Sequence, residues 1–117
     1  MIKIKRIYDA RETDDGIRVL VERLWPRGVS KEAANLDAWL REIAPSDSLR
    51  KWYGHEPAKW DEFQKAYLVE LQMPERTAAL KSLMDWASSG NLTLLYAAKD
   101  TLRNSAVVLQ GYLNTLL

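Results

Sequence analysis

The hydrophobic and polar positions of the first 21 residues predict two strands. Residues 2–8 alternate apolar with polar or basic side chains, which is the period of two expected of a half-exposed strand. Residues 17–21 are more continuously apolar, which is typical of a more buried strand. Only eight residues separate the two segments. A parallel crossover usually needs about a dozen or more residues, so the relative direction of these strands stays open.

The middle of the chain has the apolar spacing of helices. Ser30 is the expected N-cap of a first helix, whose apolar face follows i, i+3, i+4, i+7 spacing and consists of Leu36, Trp39, Leu40 and Ile43. Proline and glycine divide the following region into three more helices. These are bounded by Ser46 and Gly54, by Pro57 and Met73, and by Pro74 and Gly90.

The last part of the chain predicts a third strand and a final helix. Residues 92–96 are short and apolar, as a central strand should be. Asp100 or Thr101 is the expected N-cap of the final helix, whose apolar face contains Leu102, Ala106, Leu109, Leu113 and Leu116. The long helical region between the second and third strands favours an α/β fold. We therefore predict one domain over residues 1–117, with a small, mainly parallel sheet of about three strands covered by about five helices.

Several large side chains are expected to share one core because they lie on helical stripes or in the most apolar strand. They are Trp39, Trp60, Phe63, Leu83, Leu94 and Leu109.

Composition narrows the class of protein. The chain has 47% hydrophobic and 28% charged residues, the balance of a globular domain. Without cysteine and with a single histidine, disulfides and Cys- or multi-His-ligated metal sites are excluded. A formal net charge of +1 disfavours nucleic-acid binding. No apolar run suits a membrane span and residues 1–6 do not resemble a signal peptide, so we expect a cytoplasmic protein.

Charged and polar side chains follow the predicted strands at their carboxyl ends. Ligands of open α/β sheets bind beyond these ends. Arginine suits phosphate because its guanidinium is a planar fork of donors, and a helix N-terminus offers free N–H groups. We therefore expect a small phosphate-bearing, nucleotide-like ligand here. The candidate ligand-binding residues are Asp9, Glu22, Arg23, Trp25, Arg27, Lys99 and Asn104.

Three of these candidates, Arg23, Arg27 and Lys99, are expected to converge on one pocket that accepts an anion. These side chains can also have purely structural roles. Arg23 can pair with Glu22 or Asp9, and Lys99 with Asp100, as ordinary ion pairs at strand ends. Asn104 can equally be a residue of the helix start.

The sequence leaves the chemistry of the site open. Neither glycine-rich phosphate-loop pattern nor a Gly-x-Ser-x-Gly nucleophile elbow occurs, and we expect no cofactor. His55 has the side chain of a general acid or base, but we predict that it braces the loop that carries it, because no nucleophile motif accompanies it. The carboxylates of Asp9, Asp14, Asp15 and Glu22 suit Mg²⁺. Asp14 and Asp15 are explained more simply as a solvated turn, so no metal site is predicted.

Two classes of function fit these observations. One is a hydrolase or transferase in which the cations hold a phosphate-bearing substrate. The other is a non-catalytic interaction or regulatory module, in which Trp25, Trp52 and Tyr53 form an exposed aromatic patch for a protein partner. The oligomeric state is not indicated by the sequence.

Five segments of the chain together carry a family resemblance. They are residues 5–9, 18–28, 44–46, 49–55 and 94–100, of which the run Arg-Leu-Trp-Pro-Arg-Gly is the most specific. In these segments the chain resembles the YeaO-like short bacterial proteins of the domain-of-unknown-function family 488. The resemblance implies an α/β fold and no established activity. Longer members of that family carry a Cys-His-Arg signature at the start of the last helix, where this chain has Asn104, Ser105 and Ala106.

Overall fold

The computed structural model describes all residues from 1 to 117 and contains one parallel sheet of four strands. The strands are β1 (Ile2–Arg6), β2 (Ile17–Leu20), β3 (Ala38–Trp39) and β4 (Leu92–Tyr96). Their spatial order is β1-β4-β2-β3, and every neighbouring pair is parallel. The predicted α/β fold with a small parallel sheet is confirmed, and β3 is an additional two-residue edge strand.

The first two strands run in the same direction and flank β4. The chain between them, residues 7–16, contains a 3₁₀ turn at Thr13–Asp15. Because β1 and β2 have only five and four residues, this short connection is long enough to return the chain to the other end of the sheet. The direction that the sequence left open is therefore parallel.

Five α-helices accompany the sheet. They are α1 (Lys31–Ala34), α2 (Asp47–Tyr53), α3 (Trp60–Leu71), α4 (Thr77–Ser89) and α5 (Ser105–Leu116). The predicted boundaries of α2 are confirmed: the Ser46 hydroxyl accepts from the Leu49 N–H, and Gly54 ends the helix in the left-handed conformation. None of these helices has the length and apolar character needed to cross a membrane.

The predicted first helix is wrong beyond its first turn. It begins as expected, because the Ser30 hydroxyl accepts from the Ala33 N–H, but it ends at Ala34. Asn35 has φ 49° and ψ 56°, a left-handed conformation that asparagine tolerates. The Asp37 N–H then donates to the Arg18 carbonyl, and the Arg18 N–H donates to the Asp37 carboxylate, each at 2.8 Å. These two bonds align β3 with β2. Pairing with the sheet overrides the helical spacing of this segment.

The predicted N-cap of the last helix is also wrong. Asn104 caps α5 by accepting from the Val107 N–H, rather than Asp100 or Thr101. The Asp100 carboxylate instead accepts from the N–H groups of Leu102 and Arg103, which forms a separate turn before the helix. Leu102 therefore lies outside the predicted apolar face and is 73% exposed.

The main hydrophobic core packs against one face of the sheet, and a smaller cluster of four buried residues packs against the other. Strand β4 contributes to both clusters, which explains its continuously apolar sequence. Of the six side chains expected in one core, four are buried in the main cluster: Phe63, Leu83, Leu94 and Leu109. Trp60 is partly buried against that cluster, whereas Trp39, on the edge strand, packs partly buried against the smaller one.

A buried ion cluster lies beside β2. Arg18 and Asp15 are only 2% and 1% exposed, and their side chains form an ion pair at 2.6 Å. Lys5 contacts the other carboxylate oxygen of Asp15 at 2.9 Å. The expectation of a solvated Asp14-Asp15 turn therefore fails at Asp15, while Asp14 is exposed and pairs with Lys3. The basic partners neutralise these carboxylates.

Candidate functional site

A cleft of about 920 Å³ lies at the carboxyl ends of β2 and β4. The chain after β2 leads to β3 on one side, whereas the chain after β4 leads to α5, which packs against β1 on the other side. The cleft therefore lies at the point where two neighbouring strands send their connections in opposite directions. Ligands of open α/β sheets bind at such points, and small-molecule sites have volumes of roughly 300–1,000 Å³.

Six of the seven candidate residues line this cleft, namely Glu22, Arg23, Trp25, Arg27, Lys99 and Asn104. Asp9, the seventh, is not among the lining residues; it lies in an exposed turn after β1. The lining also includes Ala44 and Pro45 and the end of α2, so a third part of the chain closes the cleft.

Arg23 holds one wall of the cleft in place. Its guanidinium donates to the carbonyls of Pro45 and Ala44 at 3.1 and 3.3 Å. Arg76 donates to the same Ala44 carbonyl at 3.2 Å. Arg23 pairs with neither Glu22 nor Asp9, and its only ion pair is a long contact of 3.9 Å with Asp47. Most hydrogen bonds of Arg23 therefore hold the wall of the cleft that Ala44 and Pro45 form.

Arg27 and Lys99 are the two candidate cations whose side chains have no partner within the protein. Both are exposed, and neither forms an ion pair or a side-chain hydrogen bond. The expected pair between Lys99 and Asp100 is absent because Asp100 pairs with Arg103 at 3.0 Å. The Tyr8 hydroxyl donates to the Arg27 carbonyl at 3.0 Å, which fixes the backbone under the free guanidinium.

Sequence reasoning missed two basic side chains of the cleft, Arg50 and Lys51, and considered a third, His55, without placing it at the strand ends. They lie in or just after α2, which packs against α3. With them, five Arg and Lys side chains and only two carboxyl groups line the cleft, although the whole chain has a net charge of +1. The resemblance to a known family across residues 49–55 was the signal in the sequence that could have pointed to these side chains.

His55 follows the end of α2 in an unusual backbone conformation. Gly54 has φ 53° and His55 has φ 58°, so two successive residues are left-handed. This region is unfavourable for residues other than glycine, and such conformations often occur at functional sites. The ring lies 6.2 Å from that of Tyr53, and the residue is exposed at the cleft. A structural role for His55 stays a prediction.

Glu22 connects the ends of the two strands that flank the cleft. Its carboxylate accepts a hydrogen bond of 3.1 Å from the Ala97 N–H, just after β4. Burial raises the pKa of Glu22 above its ordinary value, although the Ala97 N–H and nearby basic side chains act in the opposite direction. Glu22 forms no ion pair.

The three aromatic residues that the alternative hypothesis of an interaction module requires in an exposed patch do not form one. Trp25 is half-buried, donates its indole N–H to the Val29 carbonyl and packs edge-on against Trp39 with ring centroids 5.3 Å apart. Tyr53 is buried and stacks on a core phenylalanine. Only Trp52 is exposed, at 40%. Packing explains Trp25 and Tyr53.

Asn104 places the amino-terminal end of α5 at the cleft. Its side-chain oxygen accepts from the Val107 N–H at 3.1 Å, and its amide donates to the Asp100 carbonyl at 3.0 Å. The side chain is buried and both of its functional groups bind the protein itself. We therefore interpret Asn104 as a cap that orients the helix.

Replacing Asn104 by alanine is expected to lower the free energy of unfolding by about 1–2 kcal/mol, because it removes the cap and a second hydrogen bond. Asn104→Asp should retain most of the stability, since aspartate is also a favourable N-cap. Urea denaturation of the two variants and the wild type measures the difference. Equal stability of the alanine variant and the wild type would contradict the capping role.

Comparison with known proteins shows which family the chain matches. The family description "Inactive DUF488-N3 subclade" matches residues 1–117. The chain is 46% identical over 115 residues to the uncharacterised protein YeaO of Escherichia coli (strain K12), with 98% of each chain covered. It is 37% identical over 113 residues to the uncharacterised protein Mb3100c of Mycobacterium bovis, covering 97% of this chain and 93% of that protein. No solved structure matches the chain.

Proposed function

Because the chain belongs to the DUF488 family, and within it to the inactive N3 subclade, we propose that its cleft binds a small phosphate-bearing anion without converting it. The proposal concerns the space between the ends of β2, β4 and α2 and the start of α5. The observation that carries it is the excess of positive charge in that space.

Basic side chains are concentrated in the cleft beyond what ion pairing within the protein requires. Five Arg and Lys side chains line it against two carboxyl groups. Unpaired cations held close together repel one another, and an anion relieves this repulsion. Arg27 and Lys99 carry the argument furthest because they make no internal contact that would explain their presence.

The start of α5 adds a second favourable feature for an anion. The first N–H groups of a helix are not bonded within it, and the helix dipole places partial positive charge there. Asn104 and Ser105 line the cleft at this end of a twelve-residue helix. Phosphate groups bind well at such helix starts, especially beside an arginine fork.

Binding without turnover is supported by the residues at the start of α5 and by the family description. The resemblance to family 488 implies Cys-His-Arg in its longer members where this chain has Asn104, Ser105 and Ala106. Asn104 is fully used as the helix cap. The subclade is described as inactive, which favours a binding domain over a hydrolase or transferase.

Binding is tested by thermal denaturation with phosphate and AMP at fixed ionic strength. A ligand at about 100 times its dissociation constant should add roughly 2.7 kcal/mol of stability, a melting shift on the order of 10 °C. Arg27→Ala removes a charge-assisted contact and should weaken binding by roughly tenfold or more. The matched control is Arg11→Ala, which removes the same charge from an exposed arginine outside the cleft.

Three results would contradict the proposal. The binding site fails if neither anion shifts the melting temperature, or if Arg27→Ala and Arg11→Ala respond to the anion equally. The absence of turnover fails if phosphorus NMR shows the wild type, but not Arg27→Ala, releasing phosphate from AMP.

A further inference from the structure

Glu22 differs from the other shielded carboxyl groups of the protein. The Asp15 carboxylate has two basic partners, Lys5 and Arg18. The Glu70 carboxylate binds Arg76 and the Ser46 N–H. Glu22 has no ion pair, although five Arg and Lys side chains line the same cleft. A carboxyl group that is shielded from water needs hydrogen-bond donors in compensation. The protein does not supply all of the donors that the Glu22 carboxyl group can accept.

The two oxygens of Glu22 have different roles in the fold. One accepts from the Ala97 N–H and thereby bridges the ends of β2 and β4. The other has no hydrogen-bond partner in the protein, yet it is not fully enclosed. Because Glu22 lines the cleft, a bound molecule can supply the donor that this second oxygen lacks.

We propose that Glu22 selects phosphate esters that carry a neutral O–H or N–H donor, as sugar phosphates and nucleotides do. The inference rests on the proposed anion site, since the phosphate group is the part that the cations hold. An ammonium donor is disfavoured because the cleft contains five Arg and Lys side chains. The cleft of about 920 Å³ also has room for an organic group beside the phosphate.

The substitution Glu22→Gln separates this role from a general electrostatic effect. Removing a carboxylate from a cationic cleft strengthens the binding of every anion if the charge alone matters. In Glu22→Gln an NH₂ group replaces one carboxylate oxygen. If the amide oxygen keeps the bond to the Ala97 N–H, the group that faces the ligand is a donor and cannot accept from a ligand O–H or N–H. Direct recognition therefore predicts weaker binding only for esters that carry a donor.

The experiment measures dissociation constants by calorimetry for methyl phosphate, ribose 5-phosphate and AMP, with the wild type and Glu22→Gln. Methyl phosphate is a phosphate ester without a donor on its organic group. The wild type should bind ribose 5-phosphate or AMP roughly tenfold or more tightly than methyl phosphate, and Glu22→Gln should lose most of this preference. Melting temperatures check that the variant is folded.

The outcomes distinguish the role of Glu22 from the anion site itself. The role of Glu22 is overturned if the wild type binds all three esters equally, or if Glu22→Gln strengthens all of them by the same factor. In either case, the proposed anion site would still be supported if Arg27→Ala binds methyl phosphate more weakly than Arg11→Ala does. If the wild type binds none of the three esters, both proposals fail. The preference of the wild type needs no variant, so a misfolded Glu22→Gln protein leaves that comparison intact.

Discussion

Replacing Arg18 by methionine is expected to lower the free energy of unfolding by about 3–5 kcal/mol, because it breaks a buried ion pair and leaves one partner behind. The guanidinium contacts Asp15 at 2.6 Å and donates to the carbonyls of Ala34 and Asn35 at 2.9 and 3.1 Å. All three acceptors lose a donor in the variant. For a domain with a total stability of about 5–15 kcal/mol, this is a large fraction.

Urea denaturation at neutral pH measures this loss, with Arg11→Met as the control for an exposed arginine. The dependence on pH gives a second readout. Burial alone raises the pKa of Asp15, but hydrogen bonds from the Glu12 N–H and from Lys5 and Arg18 outweigh it and lower the pKa to about 2. The stabilisation by Asp15 is thus complete above an unfolded-state pKa of about 3.9 and lost as the pH falls towards 2. A loss below about 1 kcal/mol in Arg18→Met would contradict the importance of the cluster.

Replacing Gly16 by alanine is expected to lower the free energy of unfolding by about 3 kcal/mol or more. Gly16 has φ 64° and ψ −133°, which side-chain-bearing residues rarely adopt. A Cβ atom at this position would lie 2.1 Å from the Asn91 carbonyl oxygen, which itself accepts from the Ile17 N–H at the start of β2. The clash is with backbone, so it displaces the strand pairing.

Gly111→Ala is the matched control for this prediction. Gly111 lies within α5, and a Cβ atom there meets nothing within 4 Å. Alanine should stabilise this helix by roughly 0.5–1 kcal/mol, because glycine loses more conformational freedom on folding. Thermal denaturation of both variants should therefore give shifts of opposite sign. A Gly16→Ala protein as stable as the wild type would show that the turn before β2 relaxes without loss.

The sequence predicted the elements whose signals are local. Alternation and continuous apolar character located β1, β2 and β4, and the proline and glycine positions located α2, α3 and α4. It failed at Ala38–Trp39, where pairing with β2 decides the conformation and the apolar spacing equally suits a helix. It also misplaced the start of α5, because Asp100, Thr101 and Asn104 are all residues that cap helices.

The sequence predicted those residues of the candidate site that directly follow a strand. The rule for strand ends collected the lining residues that follow β2 and β4, since each is close in sequence to its strand. It also collected Asp9, which does not line the cleft although the neighbouring Tyr8 does. It missed Arg50 and Lys51, since the position of α2 over the cleft depends on its packing against α3. The partners of Arg23 likewise come from a distant turn.

The lack of internal partners for Arg27 and Lys99 has a consequence for how this domain can diverge. Substitutions of exposed side chains without contacts change stability by about 0.5 kcal/mol or less. Mutations at these two positions can therefore accumulate with little penalty to folding, while the wall behind them stays held by Arg23 and Arg76. Under the proposed function, descendants of such a protein can exchange one ligand for another on an unchanged scaffold, and a protein engineer can follow the same route.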